Sequence, residues 1–338
     1  MNLGLYALRR LLLLIPLLLG ITLITFVVAR AVPADPIVTN LGQAAQDNPA
    51  IVGAYRHRWG LDRPLPVQYL VYLGNLLHGD LGVSLSSQRP VAQDLRTYFP
   101  ATLELASAAI LLALLVGLPL GVFAASRRGR VGDHAARLLS LVGVSTPVFW
   151  LGLLALIVFY SRLHWAPGPG QLDASLNPPP TITGMVVVDS LLSGNWADFG
   201  NALAHLVLPA TVLALYSIGI ITRMTRSHML EVLRQDYVRT ARAKGIARRD
   251  IVWRHALRNA LPPIVTLLGL AYGNLLSGSV LTENIFSWPG IGLYATQTAT
   301  LLDFPAIMGV ALVTASAYLV INLVVDLVVV ALNPQIRT

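Results

Sequence analysis

Six long stretches of the chain are nearly empty of charge: about 11–29, 105–125, 138–161, 199–222, 259–282 and 304–325. Each holds roughly 19–24 residues, and about 20 helical residues at ~1.5 Å rise cross ~30 Å of hydrocarbon. No soluble fold needs six such runs, so the pattern predicts an all-α polytopic membrane protein with six transmembrane helices. Positions 50–59 read as a short helix. Positions 64–78 read as an apolar helix too short to span, and Gly79-Asp80-Leu81-Gly82 as a turn. Ser145-Thr146-Pro147 predicts a kink in the third span. The apolar piece 182–192 is short and broken by Asp189, which suggests a surface-lying segment. Spans two and five carry Gly117/Gly121 and Gly269/Gly273, a spacing that permits close helix approach but also arises by chance.

Composition agrees: 55% of residues are hydrophobic and 12% charged, against about 25% charged in soluble domains. The net charge of +8 comes from short loops on one side, so it marks topology and gives no reason to expect a nucleic-acid partner. Arg9 and Arg10 precede the first span, Arg127, Arg128, Arg130 and Arg137 follow the second, and Arg337 follows the sixth. The short connection after span three carries Arg162 alone. This asymmetry predicts cytoplasmic N and C termini. Ala29-Arg30-Ala31 faintly resembles a cleavage site, but the first run exceeds the ~7–15 residues of a signal-peptide core, so a retained first span is expected. The absence of Cys excludes disulfides and thiolate chemistry.

The most informative polar stretch follows span four. Positions 223–258 hold ten of the 24 Lys and Arg, opposed only by Glu231, Asp236 and Asp250. A single cation at mid-membrane costs about 2.5–3.5 kcal/mol, so this block is an aqueous loop. Positions 224–244 lack Gly and Pro, and Met229, Leu233, Tyr237 and Ala241 recur every fourth residue, which predicts one helix. Gly245 supplies a turn. A second helix is expected over 249–261, with Asp250 in its first turn, and Pro262-Pro263 stop it or begin the next span.

This segment, reading Asp236-Tyr237-Val238-Arg239-Thr240-Ala241-Arg242-Ala243-Lys244-Gly245, resembles the cytoplasmic loop of type I ABC importer permeases, in the form found in the dipeptide/oligopeptide (peptide/nickel) group. The acidic residue that the general motif places six before the Gly is here Arg239. The stretches 79–82, 99–105, 145–152, 283–292 and 322–337 resemble the same group. The resemblance implies a type I importer transmembrane fold, with a first helix and extracytoplasmic segment over 1–100. A transmembrane domain would occupy 101–333 and contain a cytoplasmic coupling loop at 223–261. It implies a multi-pass subunit of the bacterial inner membrane that moves dipeptides or short oligopeptides. Its partners would be a second homologous permease, two ABC ATPase subunits, an extracytoplasmic binding protein and membrane lipid. Asp236, Tyr237, Arg239, Thr240, Ala241, Arg242, Ala243, Lys244 and Gly245 would couple to the ATPases, while Arg223 and Arg226 act as topology signals. Nickel and glutathione permeases share these motifs, so those substrates stay open.

The chain shows no catalytic constellation. Lys244, the sole lysine, is followed by Gly245 and so cannot belong to a P-loop. No cofactor is therefore expected on this chain; ATP and Mg would sit on the partner ATPases. A self-sufficient secondary transporter would want an intramembrane proton relay or inverted repeats, and an intramembrane enzyme would want a paired acid and base. Candidate pathway or packing residues are His205, Glu283, Asn322 and Asp326. His205 is expected to bond a neighbouring helix, with a pathway role as the alternative. Asp326, one turn from Asn322, is expected to pack helices or anchor a loop. Glu104 and Glu283 fall at span edges, where water would reach them and a gate-lining role is open.

Overall fold

A computed structural model describes residues 3–31, 48–59 and 62–332. The closing motif Asn333-Pro334-Gln335-Ile336-Arg337 lies outside the described residues. Helices account for nearly all the described structure: α1 (Leu3–Ala31), α2 (Pro49–Trp59), α3 (Leu65–Leu77), α4 (Val91–Ser126), α5 (Val131–Ser145), α6 (Val148–Arg162), α7 (Val186–Leu192), α8 (Trp196–Val232), α9 (Asp236–Ala243), α10 (Arg248–Gly278), α11 (Val280–Ile285), α12 (Ile291–Thr300) and α13 (Phe304–Leu332).

Five of these, α1, α4, α8, α10 and α13, are long and apolar enough to cross a membrane. The third expected span is more sharply broken than a kink: α5 and α6 meet at 98° across Thr146-Pro147, and counted as one span they bring the total to six. Proline forces this because its ring pushes the preceding residue out of the α region; Thr146 sits at φ −88°, ψ 128°. Helices α4 and α8 run to 36 and 37 residues, roughly 55 Å, so they extend well past the hydrocarbon edges expected from the apolar runs.

The α4–α8 pair forms the centre, with α5 packed on α8 and α10 on α4, α8 and α13. The apolar window of α8 is 56% buried, against 11% for α1 and 6% for α13, so those two lie at the periphery. There is no hydrophobic force between helices in lipid, so close approach must come from small residues. The glycines of both spaced pairs serve this purpose. A Cβ on Gly117 would stand 3.1 Å from Ile221 Cβ, and one on Gly121 would stand 2.5 Å from Thr225 Cβ and 2.7 Å from the Thr222 carbonyl. On α10, Gly269 abuts the Val325 side chain of α13, and Gly273 the Tyr318 ring.

Two helical expectations over the basic block need correction. The helix over 224–244 breaks at 233–235 although no Gly or Pro is present: α8 ends at Val232 and α9 starts at Asp236. The turn lets Val238 and Ala241 bury against Ile251, with Leu233, Tyr237 and Ile246 at the rim. Local propensity loses to this tertiary contact. Nor does Pro262-Pro263 separate a second loop helix from the fifth span. Helix α10 is continuous from Arg248 to Gly278, with a wider π-helical turn at Ile251–Ala256.

Segment 182–192 is less superficial than expected. Helix α7 packs on α8, and Asp189 is buried rather than a break in an apolar surface. Its carboxylate accepts the amides of Ile182, Thr183 and Gly184 and the Thr183 hydroxyl. Burial pushes this carboxyl up, but the donors outweigh burial and hold it below the usual carboxylate range. At the other end of the length scale, α3 is a short apolar helix as expected, seated on α1 through Phe26, Tyr69 and Tyr72.

Gly121→Val is expected to destabilise the α4–α8 pair by about 1–3 kcal/mol, the usual cost of overpacking. Gly200→Ala, where a Cβ meets nothing within 4 Å, should be near neutral. Thermal unfolding of the two variants in detergent separates the outcomes. A second check uses pH: a depressed carboxylate stabilises above its unfolded pKa and loses that effect as pH falls through its folded one. Amide protection at Ile182, Thr183 and Gly184 should therefore persist down through the ordinary carboxylate range and collapse only below it, read by hydrogen exchange.

Candidate functional site

The basic block folds as an elbow. Helix α9 ends with the Gly245 amide bonded to the Arg242 carbonyl at 3.0 Å and the Ile246 amide to the Ala241 carbonyl at 3.2 Å. This reverse turn needs a left-handed residue, and Gly245 provides it at φ +77°. Of the residues expected to couple, Asp236, Arg239, Thr240, Arg242, Ala243, Lys244 and Gly245 are exposed. Ala241 is buried and Tyr237 half-buried, so these two hold the elbow down instead of presenting a surface. The Tyr237 hydroxyl accepts from Asn259 Nδ2 at 2.7 Å, tying α9 to α10. Arg248 donates to the Ser126 carbonyl at the end of α4. Arg239 pairs with Asp236 at 3.2 Å, both well exposed.

Arg226 is more than a topology signal. Its Nε and Nη2 reach the two oxygens of Asp133 at 2.6 and 2.8 Å, and Asp133 is 1% exposed. This two-toothed clamp fixes the start of α5 to α8 beside the elbow. The Gly129 amide adds a third bond to Asp133.

At the opposite end of the helices lies a buried polar knot. Glu283 is 0% exposed, so the expected wet span edge is wrong. Its Oε1 accepts the Thr102 hydroxyl at 2.8 Å and the Ser279 hydroxyl at 2.6 Å. Its Oε2 accepts the Gly292 amide at 2.6 Å and the Leu293 amide at 3.1 Å. Thr102 in turn accepts the Ile291 amide at 2.7 Å. Trp288, also fully buried, donates from Nε1 to the Ala101 carbonyl at 2.8 Å. A Cβ on Gly290 would collide with Glu283 Oε2 and Thr102 Oγ1, so only glycine lets the chain close over the carboxylate. Glu104, two residues beyond Thr102 on α4, is likewise buried and accepts the Val187 amide at 2.8 Å. Both glutamates escape water because short helices, α7, α11 and α12, fold over the end of α4.

The remaining candidates are structural. His205 is buried and bonds a loop, not a helix: Nδ1 lies 3.1 Å from the Gly170 carbonyl and Nε2 3.2 Å from Asp173. The Asp173 carboxyl lies below its usual range, held down first by the Asn201 side chain and then by His205. Asp326 pairs with Arg10 at 3.0 Å and joins α13 to α1. Asn322, one turn away, is half-buried. Sequence reasoning missed Asp133, Thr102, Ser279 and Gly290. The available signal was the resemblance of 99–105 and 283–292, which hold Thr102 and Gly290, but it carried no hint that the two stretches meet.

The family described as "Binding-protein-dependent transport system inner membrane component" matches residues 117–338, and its N-terminal counterpart matches 5–106. The chain belongs to this family. As an ABC importer permease, it is a multi-pass component of the bacterial inner membrane, one part of a larger ABC transporter. The permease is 50% identical over 94% of its length, and 93% of the relative's, to the "Probable D,D-dipeptide transport system permease protein DdpB" of Escherichia coli K12. It is 47% identical, over 97% of both chains, to the "Di/tripeptide transport system permease protein DppB" of Pseudomonas aeruginosa. A solved structure of the MetNI methionine ABC transporter in inward-facing conformations superposes with TM-score 0.49 at 18% identity, covering 69% of the permease and 93% of that chain.

Thr102→Val in the permease should cost about 2 kcal/mol, since it removes a bond to a buried carboxylate and strands the Ile291 amide. Thr102→Ser keeps the hydroxyl and should retain most of the stability. Equal unfolding midpoints for the two variants would contradict the knot.

Proposed function

We propose that this permease imports dipeptides or short oligopeptides by alternating access, driven by ATPases on other polypeptides. It would pair with a second homologous permease, two ABC ATPases and an extracytoplasmic binding protein. ATP and Mg would bind the ATPases, and this chain would catalyse no reaction. The elbow, both termini and the loop after α4 would face the cytoplasm.

The observation that carries this reading is the division of the elbow. Its inner face packs on α10 through Val238 and Ala241 against Ile251 and through the Tyr237–Asn259 bond, and Tyr237 also packs against the apolar cluster shared by α4, α8 and α10. Its outer face offers Arg239, Arg242 and Lys244 to water. A loop kept only for its charge would not need a buried face. A rigid element with a free basic surface suits a motor that pulls on the membrane helices. The names of the relatives support the peptide substrate.

Arg239→Glu/Arg242→Glu should leave the protein in the membrane and lower peptide uptake by at least about tenfold in the assembled transporter, as several kcal/mol of charge mismatch at a contact implies. Gly245→Pro should do the same by denying the φ +77° turn. Uptake of a labelled dipeptide into proteoliposomes within twofold of the parent would sink the coupling role. Competition in the same assay by D,D-dipeptides, by L,L-dipeptides and by tripeptides tells which of these the permease takes.

A further inference from the structure

Between α5 and α8, beside the elbow, lies a cleft of about 380 Å³. Arg137, Arg223 and Arg226 line one part of it, and Leu141 and Val144 the other. Asp133 neutralises Arg226 through the clamp. Arg137 is held by His134 Nδ1 at 2.5 Å and lies within Coulombic reach of Asp133. Among the described residues no carboxylate lies within ion-pair distance of Arg137 or Arg223, so the lining carries three guanidinium groups against one carboxylate. Ser140, Thr222 and Ser227 add hydroxyls to the lining.

The apolar wall is not closed. Leu141 lines the cleft and is 60% exposed, on a helix that also exposes Leu138, Leu139 and Val142. Such a stripe on the first half of the broken third span is open to hydrocarbon where no segment of this chain covers it. The cleft therefore joins an arginine mouth at the aqueous boundary to a groove open to acyl chains. A soluble anion would use only the first half. Basic pockets between membrane helices at this depth suit phosphate headgroups, each nearby cation contributing about 1 kcal/mol.

We propose that this cleft binds an anionic phospholipid, with the headgroup phosphate between Arg137 and Arg223 and an acyl chain along Leu141 and Val144. Bound there, the lipid bridges α5 and α8 next to the Asp133–Arg226 clamp, and so adds to the contact that positions the broken third span. The inference is independent of what the permease transports.

The test is native mass spectrometry and lipid titration of the full chain purified in detergent, with phosphatidylglycerol, phosphatidylcholine and soluble glycerol phosphate as probes. Phosphatidylglycerol should bind more tightly than phosphatidylcholine. Arg137→Gln and Arg223→Gln should each weaken it about fivefold, and both together about 25-fold, from ~1 kcal/mol per charge. Leu141→Ser should weaken the lipid without changing glycerol phosphate binding. Unfolding midpoints near the parent's certify the variants, since Arg137 and Arg223 are exposed and Arg226 is untouched. Equal affinity for the two lipids, an unchanged affinity in the double variant, or glycerol phosphate binding as tightly as the lipid would each overturn the proposal. So would loss of the retained lipid on assembly with the partner subunits, which would show that a protein covers the cleft.

Discussion

Glu283 is fully buried, and four donors converge on its two oxygens to satisfy them there. Those donors come from different parts of the chain: Thr102 from α4, Ser279 from the turn after α10, and Gly292 and Leu293 from the start of α12. One ionisable group thus ties three segments that apolar packing alone would leave free to slide. Lipid competes with any greasy contact on equal terms, so polar convergence of this kind sets which helices meet and in what register. The Asp133–Arg226 clamp does the same at the basic end, where α5 joins α8.

Between these two polar anchors the helices are brought together by removal of side chains. Gly121 lets α4 meet α8, and Gly143 and Gly219 let α5 meet α8, at separations that a Cβ could not share without a shift, while at Gly117 a Cβ would sit tightly at 3.1 Å from Ile221. Gly269 and Gly273 do so for α10 and α13. Close backbones maximise dispersion contact, the term that remains when hydrophobic driving force is absent. The molecule is thus a stack of tight seams pinned at both ends by charge.

The six spans were legible because bilayer thickness imposes a minimum apolar length, and few other constraints produce the same pattern. Gly245 was legible for an equally local reason: the turn after Lys244 requires positive φ. What escaped were contacts between distant positions. Nothing local marks Arg226 as the partner of Asp133, or Thr102 as the partner of Glu283. The chain break after Val232 has no Gly or Pro to announce it, since it follows from where Val238 must bury. Burial of Glu104 and Glu283 depends on α7, α11 and α12 folding over them, elements too short to leave a strong periodic signature. Glu104 and Glu283 fall at the ends of apolar runs, but exposure to water does not follow from such a position.

Helix α10 begins beside the elbow, bonded through Asn259 to Tyr237, and ends one residue before Ser279, which donates to Glu283. Its 31 residues make a shaft of roughly 46 Å. A tilt of only about 5° over that length would sweep the far tip by about 4 Å, many times the play of a hydrogen bond. The two extremities of the molecule therefore cannot be reoriented separately unless the shaft itself bends, and its soft points are the π-helical turn and the Pro262-Pro263 pair. Whatever displaces the elbow must either drag the carboxylate's cage along or pull it open.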